Sequence, residues 1–172
     1  KKVNAFFYTW EELKDLSRPD SLSFACYCSG HTETYEIADS HSVDMLCDYL
    51  PKYRPDFTFL YFGLTDMAGH SYGWMTEKYQ HAVEFCWKEA QRIIDTLPED
   101  YVVIVVADHG GHDHTHGTEL PEDMTIPMFF IGEEFEAGRV LEGMSILDIT
   151  PTIADVMGIP KPDEWEGRSL VK

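Results

Sequence analysis

The stretch YVVIVVADHGGHDHTHGTELPED, residues 101–123, decides how this chain is read. An apolar, β-branched run over 101–107 stops at Asp108-His109-Gly110, and His112, His114 and His116 follow closely. Such a run predicts a buried strand of the kind found inside parallel sheets. Carboxylates and imidazoles gathered past its carboxyl end predict a ligand site, because open α/β sheets bind ligands there.

Working outward, DFTFLYFG (56–63) is a second continuous apolar strand, read with 101–107 as central in the sheet. It runs into Asp66, with His70 four residues later, in a segment read as a loop reaching Gly73. VNAFFY (3–8), LSFACY (22–27) and IPMFFI (126–131) predict further strands, and 10–16 a brief helix. Val43, Leu46, Cys47 and Leu50 recur at helical spacing and predict a helix over about 40–51, capped by Asp39 or Ser40. The polar segment 28–41, with His31 and Tyr35, reads as a surface loop. Tyr79, Val83, Cys86, Ala90, Ile93 and Leu97 form the inner face of a helix from Thr76, its cap, to Leu97. Asp148 is expected to cap a last helix with Pro151 in its first turn. Alternating strands and helices predict a single α/β domain over 1–172, a largely parallel sheet flanked by helices.

Composition narrows the function classes. Thirteen basic against 31 acidic residues give a net charge of −18, a surface that repels nucleic-acid phosphates and anionic membranes. An anionic substrate therefore needs cations in the site to receive it. No stretch is long and apolar enough to span a bilayer. Cys26, Cys28, Cys47 and Cys86 read as free thiols, which fits a reducing, cytoplasmic compartment. Carboxylate oxygen and imidazole nitrogen suit Zn²⁺ where cysteine is absent from the site. Asp66, His70, Asp108, His109 and His116 at the ends of two strands can hold two cations; His112 and His114 receive no assignment.

TDMAGHSYGWMTEKY (65–79), VVADHGGHDHTHGTELPEDMTIPMFF (105–130) and ILDITPTIADVMGIPKPDEWEGRSL (146–170) resemble the C-terminal half of the alkaline phosphatase superfamily, in its type I phosphodiesterase/nucleotide pyrophosphatase-like branch. The resemblance is close over 56–172 and loose over 1–55. It implies Asp66, His70 and His116 as ligands of one metal and Asp108 and His109 as ligands of a second, both usually zinc. It also implies a small phosphorylated substrate, attacked by a Thr or Ser nucleophile, in a two-metal clamp.

That pattern is not complete here. The resemblance calls for one more Asp and for a nucleophile in a strand-to-helix turn. Ser29, Thr32, Thr34 and Ser40 lie in a polar loop without that context. The expectation is an alkaline phosphatase-like core, incomplete in this chain, inactive alone, and prone to self-association through an uncovered sheet edge. The main functional expectation is a zinc-dependent phosphodiesterase or nucleotide pyrophosphatase-like hydrolase. The alternatives are a sulfatase or phosphomutase of the same superfamily, or a metal-binding domain without chemistry.

Overall fold

The computed structural model describes residues 2–18 and 20–172. They form two compact units, one running through Pro98 and joined by Gly111–Met124, the other made of Glu99–Gly110 and Thr125–Lys172.

The first unit is an α/β arrangement around strand β1, Asn4–Tyr8. β1 lies between β2, Phe24–Tyr27, and β3, Phe57–Leu60, and both pairings are parallel. Ala5 and Phe7 point to one face. There they form a core with Leu46 and Leu50 of helix α1, Tyr35–Tyr53, against which Phe24, Tyr49 and Leu60 pack. On the opposite face Phe6 stacks between Tyr8, at 4.5 Å between ring centroids, and Phe59, at 5.2 Å. The segment 56–63, expected in the middle of a sheet, thus supplies an edge strand, and the shorter VNAFFY run takes the centre. Continuous apolarity marks a strand buried on both faces, and β1 satisfies that better: Phe7 is fully buried while Phe59 is exposed.

Helix α1 starts earlier than expected. Its cap is Thr34, whose Oγ1 accepts the Ile37 N–H at 3.3 Å; neither Asp39 nor Ser40 caps it. Half of the segment read as a surface loop is therefore helical. Tyr35 opens the helix and packs with Leu64, Ala68, Ala82 and Cys86. The second departure matters more for function. Residues read as a loop up to Gly73 form helix α2, Leu64–Tyr72. Gly73, at φ +89°, ends it by returning its N–H to the Gly69 carbonyl, a conformation that suits glycine. Helix α3, Glu77–Ile94, is capped by Thr76 as expected: Thr76 Oγ1 accepts the Tyr79 N–H at 3.3 Å. Cys86 and Ala90 of the predicted face are buried, together with Ala82 and Glu89, which the spacing did not include. A short helix, α4, covers Pro121–Met124.

The second unit contains β4, Val103–Val106, paired antiparallel with β5, Met128–Ile131. This pairing departs from an all-parallel order. A 3-10 turn, Ile146–Asp148, leads into helix α5, Ile149–Val156. The cap is shared differently from expectation. Ser145 accepts the Leu147 N–H, and the Asp148 carboxylate reaches back to the Ser145 N–H at 3.0 Å and across to the Arg168 N–H at 2.9 Å. Thr152 Oγ1 accepts the Leu170 N–H at 3.0 Å, so the closing DITPT and GRSL segments are hydrogen-bonded together. Gly167 is required there, because a Cβ would lie 2.0 Å from the Leu147 carbonyl oxygen.

The four cysteines are free, with Cys86 buried and the others half-buried. Among the described residues no helix is long and apolar enough to cross a membrane.

Candidate metal centre

Helix α2 makes the first half of the site. Asp66 lies in its first turn and His70 in its last, at i and i+4, so a helical backbone puts both on one face. The entry to α2 is held by a residue that the sequence offers only as a cap of α1. Asp39, fully buried on α1, accepts the Gly63 N–H at 3.1 Å, the Leu64 N–H at 3.0 Å and the Thr9 hydroxyl at 2.8 Å. Those bonds satisfy two of the N–H groups that a helix start leaves open. Burial pushes the Asp39 carboxyl up to about 6, against the downward pull of the three hydrogen bonds. Gly63 also admits the Tyr35 ring, which a Cβ there would approach to 2.4 Å.

The 111–124 segment brings the other half. His116 Nε2 lies 3.5 Å from Asp66 Oδ1, and His70 Nε2 lies 3.5 Å from the same oxygen. One oxygen or nitrogen from each of Asp66, His70 and His116 falls within 4.8 Å of the others, the spacing of ligands around a single ion. The tautomer of His70 follows from its other nitrogen. Nδ1 lies 2.9 Å from the His114 carbonyl, which can only accept, so Nδ1 carries the proton and Nε2 keeps its lone pair. The His114 ring returns the bond, its Nδ1–H donating to the His70 carbonyl at 3.0 Å.

Trp74 packs against both imidazoles. Its ring stands edge-on to His70 at 5.1 Å and lies 5.8 Å from His116, and its main-chain N–H donates to the Asp113 carbonyl at 2.7 Å. Two glycines make room for the indole: a Cβ at Gly69 would lie 2.5 Å from it, and one at Gly111 2.2 Å. One carboxylate and two imidazoles form a donor set that suits Zn²⁺, Co²⁺ or Mn²⁺, so the residues fit a divalent cation.

His112, unassigned from sequence, donates through Nδ1–H to Asp123 Oδ1 at 2.8 Å. Neither His112 nor His114 joins the Asp66, His70, His116 group; both brace the segment that carries His116. No sequence periodicity could have singled them out, because their partners are a main-chain carbonyl and an aspartate on a later turn.

Asp108 and His109 belong to the second unit. His109 Nδ1–H donates to the Gly110 carbonyl at 2.7 Å, which leaves Nε2 as a lone-pair donor, 3.7 Å from Asp108 Oδ1. Asp108 and His109 therefore also pair a carboxylate oxygen with an imidazole nitrogen. Among the candidate hydroxyls, Thr34 is the cap of α1, and Ser29 Oγ accepts the Thr32 N–H at 3.2 Å in a turn.

Comparison with known proteins places the chain in a family. A family model described as type I phosphodiesterase / nucleotide pyrophosphatase matches residues 2–124. A 2,3-bisphosphoglycerate-independent phosphoglycerate mutase of Clostridioides difficile is 32% identical over 149 residues, 80% of this chain and 29% of the relative. The Clostridium botulinum enzyme of the same name (strain Langeland) is 29% identical over 143 residues, 80% of this chain and 27% of the relative. A solved structure of Leishmania mexicana phosphoglycerate mutase at low cobalt concentration superposes with a TM-score of 0.70 at 15% identity, covering 99% of this chain and 38% of that one. The chain thus spans less than a third of the length of the curated relatives named here. It has the α/β fold of that mutase structure, with a parallel sheet flanked by helices, and it belongs to the type I phosphodiesterase/nucleotide pyrophosphatase family of the alkaline phosphatase superfamily.

Proposed function

We propose that this chain carries the metal-ligating part of an enzyme that transfers phosphoryl groups on small phosphorylated substrates, a phosphomutase rather than a diesterase. The observation that carries the reading is the convergence of Asp66 Oδ1, His70 Nε2 and His116 Nε2. The sequence alone favoured a hydrolase. The relatives named as mutases shift the balance to the mutase alternative.

In this reading Asp66, His70 and His116 hold one divalent cation, and Asp108 and His109 contribute to a second. Bound cations would supply positive charge to receive a phosphoryl group on a protein whose net charge is −18. The residues of the chain keep both His70 and His109 in the tautomer that offers Nε2. No hydroxyl of the chain is assigned as the nucleophile in this reading; Thr34 caps α1 and Ser29 accepts a main-chain N–H in a turn. Which ion is native, zinc or a metal such as cobalt or manganese, is part of the same proposal.

The full-length gene product tests it. It would be stripped of metal, reloaded with Zn²⁺, Co²⁺ or Mn²⁺, and assayed on 3-phosphoglycerate and on bis-p-nitrophenyl phosphate. Conversion of 3-phosphoglycerate to its 2-isomer, without release of inorganic phosphate, is expected. Turnover of the diester alone would return the reading to a hydrolase. Failure to retain any of the three cations would end both.

A further inference from the structure

The segment between Gly111 and Met124 is closed on itself by one carboxylate. Asp123 is only 3% exposed, and both of its oxygens are used. Oδ1 accepts the His112 Nδ1–H at 2.8 Å, while Oδ2 accepts the Thr118 N–H at 2.8 Å and the Thr118 hydroxyl at 2.7 Å. Gly111 N–H donates to the Glu122 carbonyl at 2.9 Å, just outside that neck. Within the neck, His112 and Thr115 exchange main-chain hydrogen bonds at 3.0 and 2.9 Å. His116 follows directly, and Gly117, at φ +94° with open space around it, turns the chain back toward Thr118. His116 is thus bracketed on both sides, at 112 and at 118, by bonds to the same buried carboxylate.

We infer that Asp123 is a positioning residue for the metal centre, holding His116 toward Asp66 by clamping His112 and Thr118. The inference rests on the metal reading above and adds residues that the ligand pattern does not contain. The charge state agrees with the geometry. The hydrogen bond from His112 holds the Asp123 carboxyl down at about 2, and the same bond raises His112 above its ordinary value. A ligand imidazole free to rotate would bind a cation less tightly, because its orientation would have to be fixed on binding.

The test compares the 172-residue chain with Asp123→Ala, Asp123→Asn and Thr118→Val. Co²⁺ titrations are followed by calorimetry and by quenching of Trp74, whose ring is 5.1 Å from His70. Asp123→Ala is expected to weaken Co²⁺ binding by about 10-fold, the low end of the range for removing a ligand's own hydrogen-bond partner, because Asp123 acts on His116 through His112 and Thr118. Asp123→Asn should recover part of that loss, because its amide oxygen can still accept from Thr118 while His112 changes tautomer. A Co²⁺ Kd within twofold of the parent in Asp123→Ala overturns the inference, even if its melting temperature falls. Should Asp123→Ala fail to fold, Thr118→Val carries the same comparison, with a several-fold loss expected and none overturning it. Ring ¹H–¹⁵N spectra without metal make a separate arm. His116 should give one sharp set in the parent and a broadened set in the variants. Unchanged His116 signals overturn the inference whether or not the parent binds metal, whereas a parent that binds no Co²⁺ counts against the metal reading alone.

Discussion

His70 and His114 hold each other through their main chains: each ring donates Nδ1–H to the other's carbonyl, at 2.9 and 3.0 Å. The exchange ties the last turn of α2 to the segment that carries His116. It also sets the proton on the nitrogen of His70 that faces away from Asp66.

Replacing His114 by Ala removes one of the two bonds and keeps the carbonyl that accepts from His70. A single hydrogen bond contributes about 0.5–1.5 kcal/mol net, so divalent-cation affinity should fall by roughly two- to tenfold. His70→Ala and Asp66→Asn, which remove a donor outright, should lose measurable binding in the same calorimetric titration. Equal losses for His114→Ala and His70→Ala would mean that the reciprocal bond is not what separates ligand from brace.

Asp39→Ala strands three buried groups, the Thr9 hydroxyl and the Gly63 and Leu64 N–H groups. Each unsatisfied buried group costs about 1–3 kcal/mol, so urea unfolding should show a loss of at least ~3 kcal/mol. A loss below about 1 kcal/mol would show that water or relaxation replaces the carboxylate.

Asp39 also gives the fold a pH dependence of definite sign. Its folded value, about 6, lies above that of an unfolded aspartate, so the folded state holds the proton more tightly. The contribution is fully present at acid pH and is lost as pH rises from about 4 through about 6, to the order of 3 kcal/mol. Comparing urea midpoints of the parent and Asp39→Asn across pH 4 to 7 reads it. The parent should lose stability relative to the variant over that window, and parallel curves would refute the assignment.

The His112–Asp123 pair runs the other way. Asp123 is depressed, so its contribution is present above the ordinary carboxylate value and lost as pH falls through about 2. His112 is raised, so its contribution is present below the ordinary imidazole value and lost as pH rises through the raised one. A ¹H–¹⁵N titration of the histidine rings should find His112 titrating above the ordinary imidazole value and returning to it in Asp123→Asn.

Gly69→Ala and Gly111→Ala both push a methyl group into the Trp74 indole. Overpacking of this kind costs about 1–3 kcal/mol, and the displaced ring lies against His70 and His116. Both variants should lower the melting temperature and shift tryptophan emission. Unchanged emission would show that the indole has not moved.

The ligand set and the helix that precedes Thr76 show how far one-dimensional reading reaches. Asp66 and His70 are visible in the sequence as a spaced pair, but nothing local predicts a helix between them. TDMAGHSY carries two residues that weaken a helix signal, Gly69 and Ser71, and only the packing of Leu64 and Ala68 against Ala82 and Cys86 decides the matter. The start of α1 was misplaced for a related reason. Thr34 is a competent cap, though threonine ranks below serine and aspartate, and what favours the earlier start is the burial of Ala38, Asp39 and Ser42.

By itself the sequence determined the α/β class, the cap of α3 and the carboxylate and imidazole types available for a cation. These follow from side-chain chemistry and from periodicities of two and 3.6 residues, which are local properties. Only the tertiary structure decided that VNAFFY is the middle strand of its sheet, that β4 pairs antiparallel with β5, and which groups Asp39, His112, His114 and Asp123 hydrogen-bond. Each depends on a partner far along the chain, at 24 residues for Asp39 and Gly63 and 44 for His70 and His114, and no local pattern encodes which distant groups meet.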